Sequence, residues 1–131
     1  YDHTRARWAR PPASWTRFYA AFLDWRAAGG LDNALAAHLP QAFEAAGLTE
    51  LRVAPQVTAV RAGEADFFRV AGMWRLTVDS RGRQMVAAGH LDERERQVAL
   101  AEYTEWMQTA GAALTLHEAC VIGRRPARRG M

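Results

Sequence analysis

Only two segments of this chain carry a complete strand pattern: residues 51–60, LRVAPQVTAV, and 112–123, AALTLHEACVIG. Two strands are a poor sheet in water, because about three are needed for independent stability. The fold therefore calls for a third strand. The one place that offers it is the start, where Tyr1-Asp2-His3 reads as the carboxyl end of a strand whose earlier part lies outside these residues. Residues 4–13, TRARWARPPA, then read as a loop, because Pro11-Pro12 breaks any helix and leaves the residue before it extended.

Helical periodicity fills the intervals. Ser14 is placed to cap a helix over SWTRFYAAFLDWRAAGG that Gly29-Gly30 ends. Trp15, Phe18, Tyr19, Phe22 and Leu23 recur at i, i+3, i+4 and make one aromatic stripe, with Trp25 off it. Asp32 caps a second segment, in which Pro40 separates two short helices at Leu39-Pro40, the second ending at Gly47. Pro55 puts the 51–60 strand at a sheet edge or a bulge. Residues 61–111 predict a helical cap of three helices: GEADFFRVAGMWRLTVDS, RQMVAAGHL and LDERERQVALAEYTEWMQTAG. Asp92 and Glu95 open the last as an acidic variant of the capping box. Its apolar face is Val98, Leu100, Ala101, Tyr103 and Met107, with Trp106 towards the edge. Residues 112–123 form the last strand and 124–131 a basic tail. The chain is thus one α/β domain's worth, with residues 1–60 ahead of the cap.

Half of the 131 residues are apolar, which fits a globular core. All seventeen basic residues are arginine, so chemistry that needs a lysine base or Schiff base is excluded from this chain. Seven of them lie near the two ends, at Arg5, Arg7, Arg10, Arg124, Arg125, Arg128 and Arg129. The other ten face thirteen carboxylates in residues 11–123. A nucleic-acid reader gathers its positive charge on one folded face. A slightly acidic body between basic ends argues against nucleic acid as a partner. No apolar run approaches the roughly 20 residues that span a membrane. A single cysteine excludes an internal disulfide and, with no signal-peptide pattern, fits a cytoplasmic protein. Alternation in HEACVIG puts Cys120 on a strand as a buried structural thiol.

Phosphate and dinucleotide cradles need closely spaced glycines between a strand and a helix, and no such cluster occurs. His3, His38, His90 and His117 fall in four different segments, so no metal site is expected. Asp92, Glu93, Glu95, Glu102 and Glu105 read as a solvated helix face, and neither Ser14 nor Ser80 sits in a nucleophile elbow. Asp2-His3 is the remaining constellation. A histidine at the carboxyl end of a strand stands where open α/β sheets place their ligands, and an ordinary imidazole pKa suits general-base work. An ordinary polar turn is the other reading of the same two residues.

Taken in order, YDH, LDNALAAHLPQAFEAAGLTELRVAPQ and LTLHEACVIGRRP resemble the fifth-strand end, the helix and sixth strand, and the seventh strand of a class I S-adenosylmethionine-dependent methyltransferase. The AAGLTELRV junction carries most of the likeness, and the nearest type is the ubiquinone/menaquinone-biosynthesis group of small-molecule methyltransferases. The resemblance implies the C-terminal portion of a Rossmann-like sheet, with the last strand antiparallel between the fifth and sixth and a helical cap between the last two strands. It places Asp2 and His3 as catalytic residues at the pocket floor beside the transferred methyl. Trp8, Trp15, Phe18 and Tyr19 would wall the acceptor, Asn33 would point a hydrogen bond inward, and Phe67, Met73 and Trp74 would close over it. By spacing alone the aromatic stripe fits a core equally well, most clearly at Phe22 and Leu23. The family's glycine-rich cofactor loop and its acidic residue after strand two do not occur here. The resemblance therefore implies S-adenosylmethionine as cofactor of a longer parent enzyme, with no cofactor-binding residue in this chain and no activity for the chain alone. The implied partners are a small-molecule methyl acceptor and an N-terminal half, or else a second copy. A free-standing, non-catalytic binding or dimerisation module is the reading from another class.

Overall fold

The computed structural model describes residues 1–128, so residues 129–131 of the basic tail, Arg129 among them, lie outside it. Seven elements follow one another: β1 (Asp2–Trp8), α1 (Ala13–Ala28), α2 (Leu35–Ala45), β2 (Thr49–Arg61), α3 (Phe67–Ala87), α4 (Glu93–Trp106) and β3 (Ala113–Arg124). The fold is α/β. Its three-stranded sheet has the order β1-β3-β2, with β3 antiparallel to both neighbours. β2 is an edge strand, so the missing N–H of Pro55 breaks only one ladder. β3 pairs with β2 from Arg61↔Ala113 to Thr49↔Arg124, but with β1 only as far as Asp2↔His117.

The first strand differs from expectation. Residues expected to form a loop continue it to Trp8, because Ala6 and Trp8 turn inward and Arg7 outward, and Leu114 and Thr115 of β3 stand opposite. α1 is not capped by Ser14. Pro12 holds the cap position with no side-chain bond, and its carbonyl accepts from the N–H groups of Trp15 (3.0 Å) and Thr16 (3.2 Å). Pro40 does not divide α2: one helix runs through it and rests against β2 and β3, so the single lost hydrogen bond is tolerated.

The expected three helices of 61–111 are two, because α3 passes unbroken through Gly82. That glycine serves close approach. A Cβ there would lie 3.1 Å from both Cγ and Cδ of Arg96 and 3.4 Å from the Phe18 ring. Arg96 accordingly lies on the buried face of α4 with Ala99, Tyr103 and Trp106, while Val98 and Ala101 face out. Its stem is covered and its head is paired with Glu93 and Asp79. The Asp92 cap is as expected, with its carboxylate accepting from the N–H of Glu95 at 2.7 Å. Cys120 is exposed and not a buried thiol, since it lies on the half of β3 that β1 does not reach.

The core is aromatic. Trp15 lies 4.2 Å from Tyr103, centroid to centroid, and Phe18, Phe67, Trp74 and Leu114 are buried around them. Two polar contacts join this layer to the start of the chain. The Tyr103 hydroxyl donates to the Ala71 carbonyl at 2.9 Å and accepts from Trp8 Nε1 at 3.3 Å. Trp106 Nε1 donates to the Ala9 carbonyl at 2.8 Å. Tyr103→Phe strands both the Trp8 indole N–H and the Ala71 carbonyl. It is expected to lower the unfolding free energy by about 1–3 kcal/mol in urea denaturation. An unchanged midpoint would show that neither bond contributes.

Candidate functional site

Between α1, α3 and the start of β1 lies a cleft of about 440 Å³, within the usual size of a small-molecule site. Phe22, Trp25 and Arg26 enter it from α1 at i, i+3, i+4 spacing, so they share one helix face. Met73, Trp74, Thr77 and Arg81 enter from α3 in the same way. β1 contributes His3, β3 contributes Leu116, and Tyr1 and Leu31 complete the wall. Phe22, Trp74 and Leu116 are buried and form the floor, whereas Arg81 is exposed at the rim.

His3 is half-buried in an aromatic box. Its ring meets Phe22 edge-on at 5.7 Å and Trp74 edge-on at 6.0 Å, and Tyr1 stacks on it at 5.8 Å. Burial, and after it the positive charge of Arg26, lowers the imidazole to about 4. At neutral pH the ring is uncharged and a weak base. It offers one N–H donor and one lone pair rather than ready proton uptake.

Asp2, expected beside His3 at the pocket floor, does not line this cleft. Adjacent strand residues point to opposite faces. Asp2 is buried, and its Oδ1 accepts from the Thr4 N–H at 3.1 Å and from the Thr4 hydroxyl. The His3 backbone is held on both sides of its ring: its N–H donates to the Asn33 carbonyl at 2.8 Å, and its carbonyl accepts from the Tyr19 hydroxyl. Burial raises the Tyr19 phenol above its ordinary pKa, which keeps it a donor.

Of the residues expected at a pocket, His3 and Trp74 line the cleft, and Met73 lies beside them. Asn33 points no hydrogen bond inward. Its Oδ1 accepts from Arg26 Nε at 3.0 Å and its Nδ2 donates to the Leu23 carbonyl at 2.9 Å, so it positions the arginine. Trp15 is core, with an indole N–H that has no partner among the described residues. Trp8 packs between Trp15, Tyr19 and Trp74 behind the cleft. Phe67 is buried against Trp106, away from it. Sequence reasoning missed Trp25, Arg26, Thr77 and Arg81. The signal was present: Trp25 lies off the core stripe of α1, and Trp74, Thr77 and Arg81 follow at i, i+3, i+7 on α3.

A second groove of about 360 Å³ between α1 and α4 is crossed by the Arg17–Glu95 ion pair at 3.6 Å and has no aromatic floor beyond Phe18. Among the described residues no three His, Cys, Asp or Glu side chains converge, and no helix is long and apolar enough to cross a membrane. The β1–α1 junction, residues 9–12, contains no glycine, and the β2–α3 junction, residues 62–66, contains only Gly63. No family model and no curated protein matches the chain.

Because the folded imidazole sits below its unfolded value of 6.5, His3 favours folding above that pH. The contribution is lost as pH falls towards 4, where the unfolded chain binds a proton that the folded one does not. Proton NMR titration is expected to give a His3 midpoint near 4, and Arg26→Gln is expected to raise it. A midpoint near 6.5 would place the ring in water.

Proposed function

We propose that this chain is the substrate-side portion of an S-adenosylmethionine-dependent methyltransferase acting on a small molecule. The observation that carries the reading is the strand order β1-β3-β2 with β3 antiparallel to both, the arrangement that the resemblance implies for the fifth, seventh and sixth strands. The helical segment between β2 and β3 supports it, because α3 furnishes one wall of the aromatic cleft. In this reading the donor is held by an N-terminal half outside these residues, in a cytoplasmic parent enzyme, and the isolated chain is inactive. The chain's own residues position the acceptor and exclude water from it: Phe22, Trp25 and Trp74 hold it by contact. His3, neutral at pH 7, orients it by a hydrogen bond and is not its general base.

A second reading is a free-standing module that pairs with a copy of itself. It is favoured by Val53 and Val57, on one face of the edge strand β2, which are 48% and 59% exposed.

Titration of S-adenosylmethionine into the 131-residue chain is expected to give no heat, whereas the parent polypeptide isolated from its source binds it and is larger. A native polypeptide of this length that binds no S-adenosylmethionine overturns the methyltransferase reading. If that chain also sediments as a dimer, and Val57→Asp returns it to a monomer, the second reading takes its place.

A further inference from the structure

The polar groups of the cleft are unevenly distributed. Its lining includes two guanidinium groups, Arg26 and Arg81, one imidazole and one phenol, and no carboxylate. Among the described residues neither arginine is in an ion pair, as is also true of Arg5, Arg7, Arg10, Arg52, Arg75 and Arg94.

Arg26 is also preorganised. Its Nε is held by Asn33 Oδ1 at 3.0 Å, and its Cζ stands 5.7 Å from the Phe22 ring centroid, over the ring. Those contacts leave both Nη groups for a ligand. Arg81 follows Trp74 by two helical turns, so each helix presents an aromatic ring and then a guanidinium along one face.

This arrangement selects among anions. Arg26 lies in the last turn of α1, where the helix dipole is negative, and no glycine nest faces the cleft. The helix end opposes any anion, a dianion more strongly than a carboxylate, and the missing nest removes the backbone donors that a phosphate uses. A single carboxylate matches the planar fork of a guanidinium, and the buried floor of Phe22, Trp74 and Leu116 matches a flat apolar body.

We propose that this cleft binds a small planar aromatic acid, with its ring against Phe22, Trp25 and Trp74 and its carboxylate on Arg26 and Arg81. The inference rests on reading the cleft as the acceptor site, yet it concerns binding alone and needs no methyl donor.

Isothermal titration of the chain with 2-naphthoate, its neutral isostere 2-naphthamide and 2-naphthylmethylammonium tests it. Naphthoate is expected to bind about tenfold more tightly than the amide, and the ammonium ion not at all. Arg81→Gln, at an exposed position, is expected to narrow the acid-over-amide preference at least threefold. Arg26→Gln together with Arg81→Gln is expected to abolish it, with circular dichroism reporting the fold. Should the double variant not fold, the single Arg81→Gln result decides. Trp74→Leu is expected to weaken both neutral and anionic probes alike.

Equal affinity for acid and amide, a preference unchanged by Arg81→Gln, or no naphthoate binding overturns the proposal. The outcome is separable from the methyltransferase reading. Naphthoate preference in a protein whose native form ignores S-adenosylmethionine keeps this site and removes that activity. A donor-binding parent with no acid preference does the reverse.

Discussion

The pairing of β3 with a strand on each side holds the rest of the molecule in place. β3 is last in the chain yet central in the sheet, so β1 and β2 meet only through it. Its register with β1 sets Trp8 opposite Leu114 and Asp2 opposite His117. That puts the Trp8 indole where Tyr103 can accept from it and the His3 ring where Phe22 and Trp74 can enclose it. A slip of one residue would exchange the faces of every side chain on β1. The aromatic layer and the cleft would be lost together.

One set of aromatic rings is therefore both core and wall. Trp74 packs against Trp8, Trp15 and Tyr19 on the core side while lining the cleft together with His3 and Phe22. The electrostatics follow from that sharing. A ring surrounded by aromatic faces loses hydration, and Arg26 adds a like charge to any proton His3 would take. The histidine that looks like a base in sequence is by its surroundings a neutral hydrogen-bonding group. Asn33 takes part at one remove, holding Arg26 by its side chain and His3 by its backbone.

Much of the architecture was legible because it rests on local rules. Pro55 called for an edge or a bulge and β2 is an edge strand, and the start of α4 followed from Asp92 and the end of α1 from Gly29. The errors share a physical cause. Gly82 and Pro40 are local helix breakers, but packing of α3 against Arg96 and of α2 against the sheet overrode them. Thr4 to Trp8 lacks a strong apolar alternation and became a strand because β3 offered a ladder. Cys120 sits on a strand as expected, but which strand positions are covered depends on how far β1 extends, and it stops short.

By itself the sequence determined the α/β class and the absence of lysine and of a glycine-rich cradle, since these depend on residue types and spacings. It also determined that aromatic side chains recur at helical spacing, whether for core or for pocket. Only the tertiary structure decided which of them face a cleft, because Trp15 and Trp74 have the same chemistry and differ only in what packs around them. It decided as well that Arg26 and Arg81, 55 positions apart in the chain, line the same cleft. Charge and spacing within one helix are local quantities. The convergence of two helices on a third element is set by the register of β3 and cannot be read from any window of the chain.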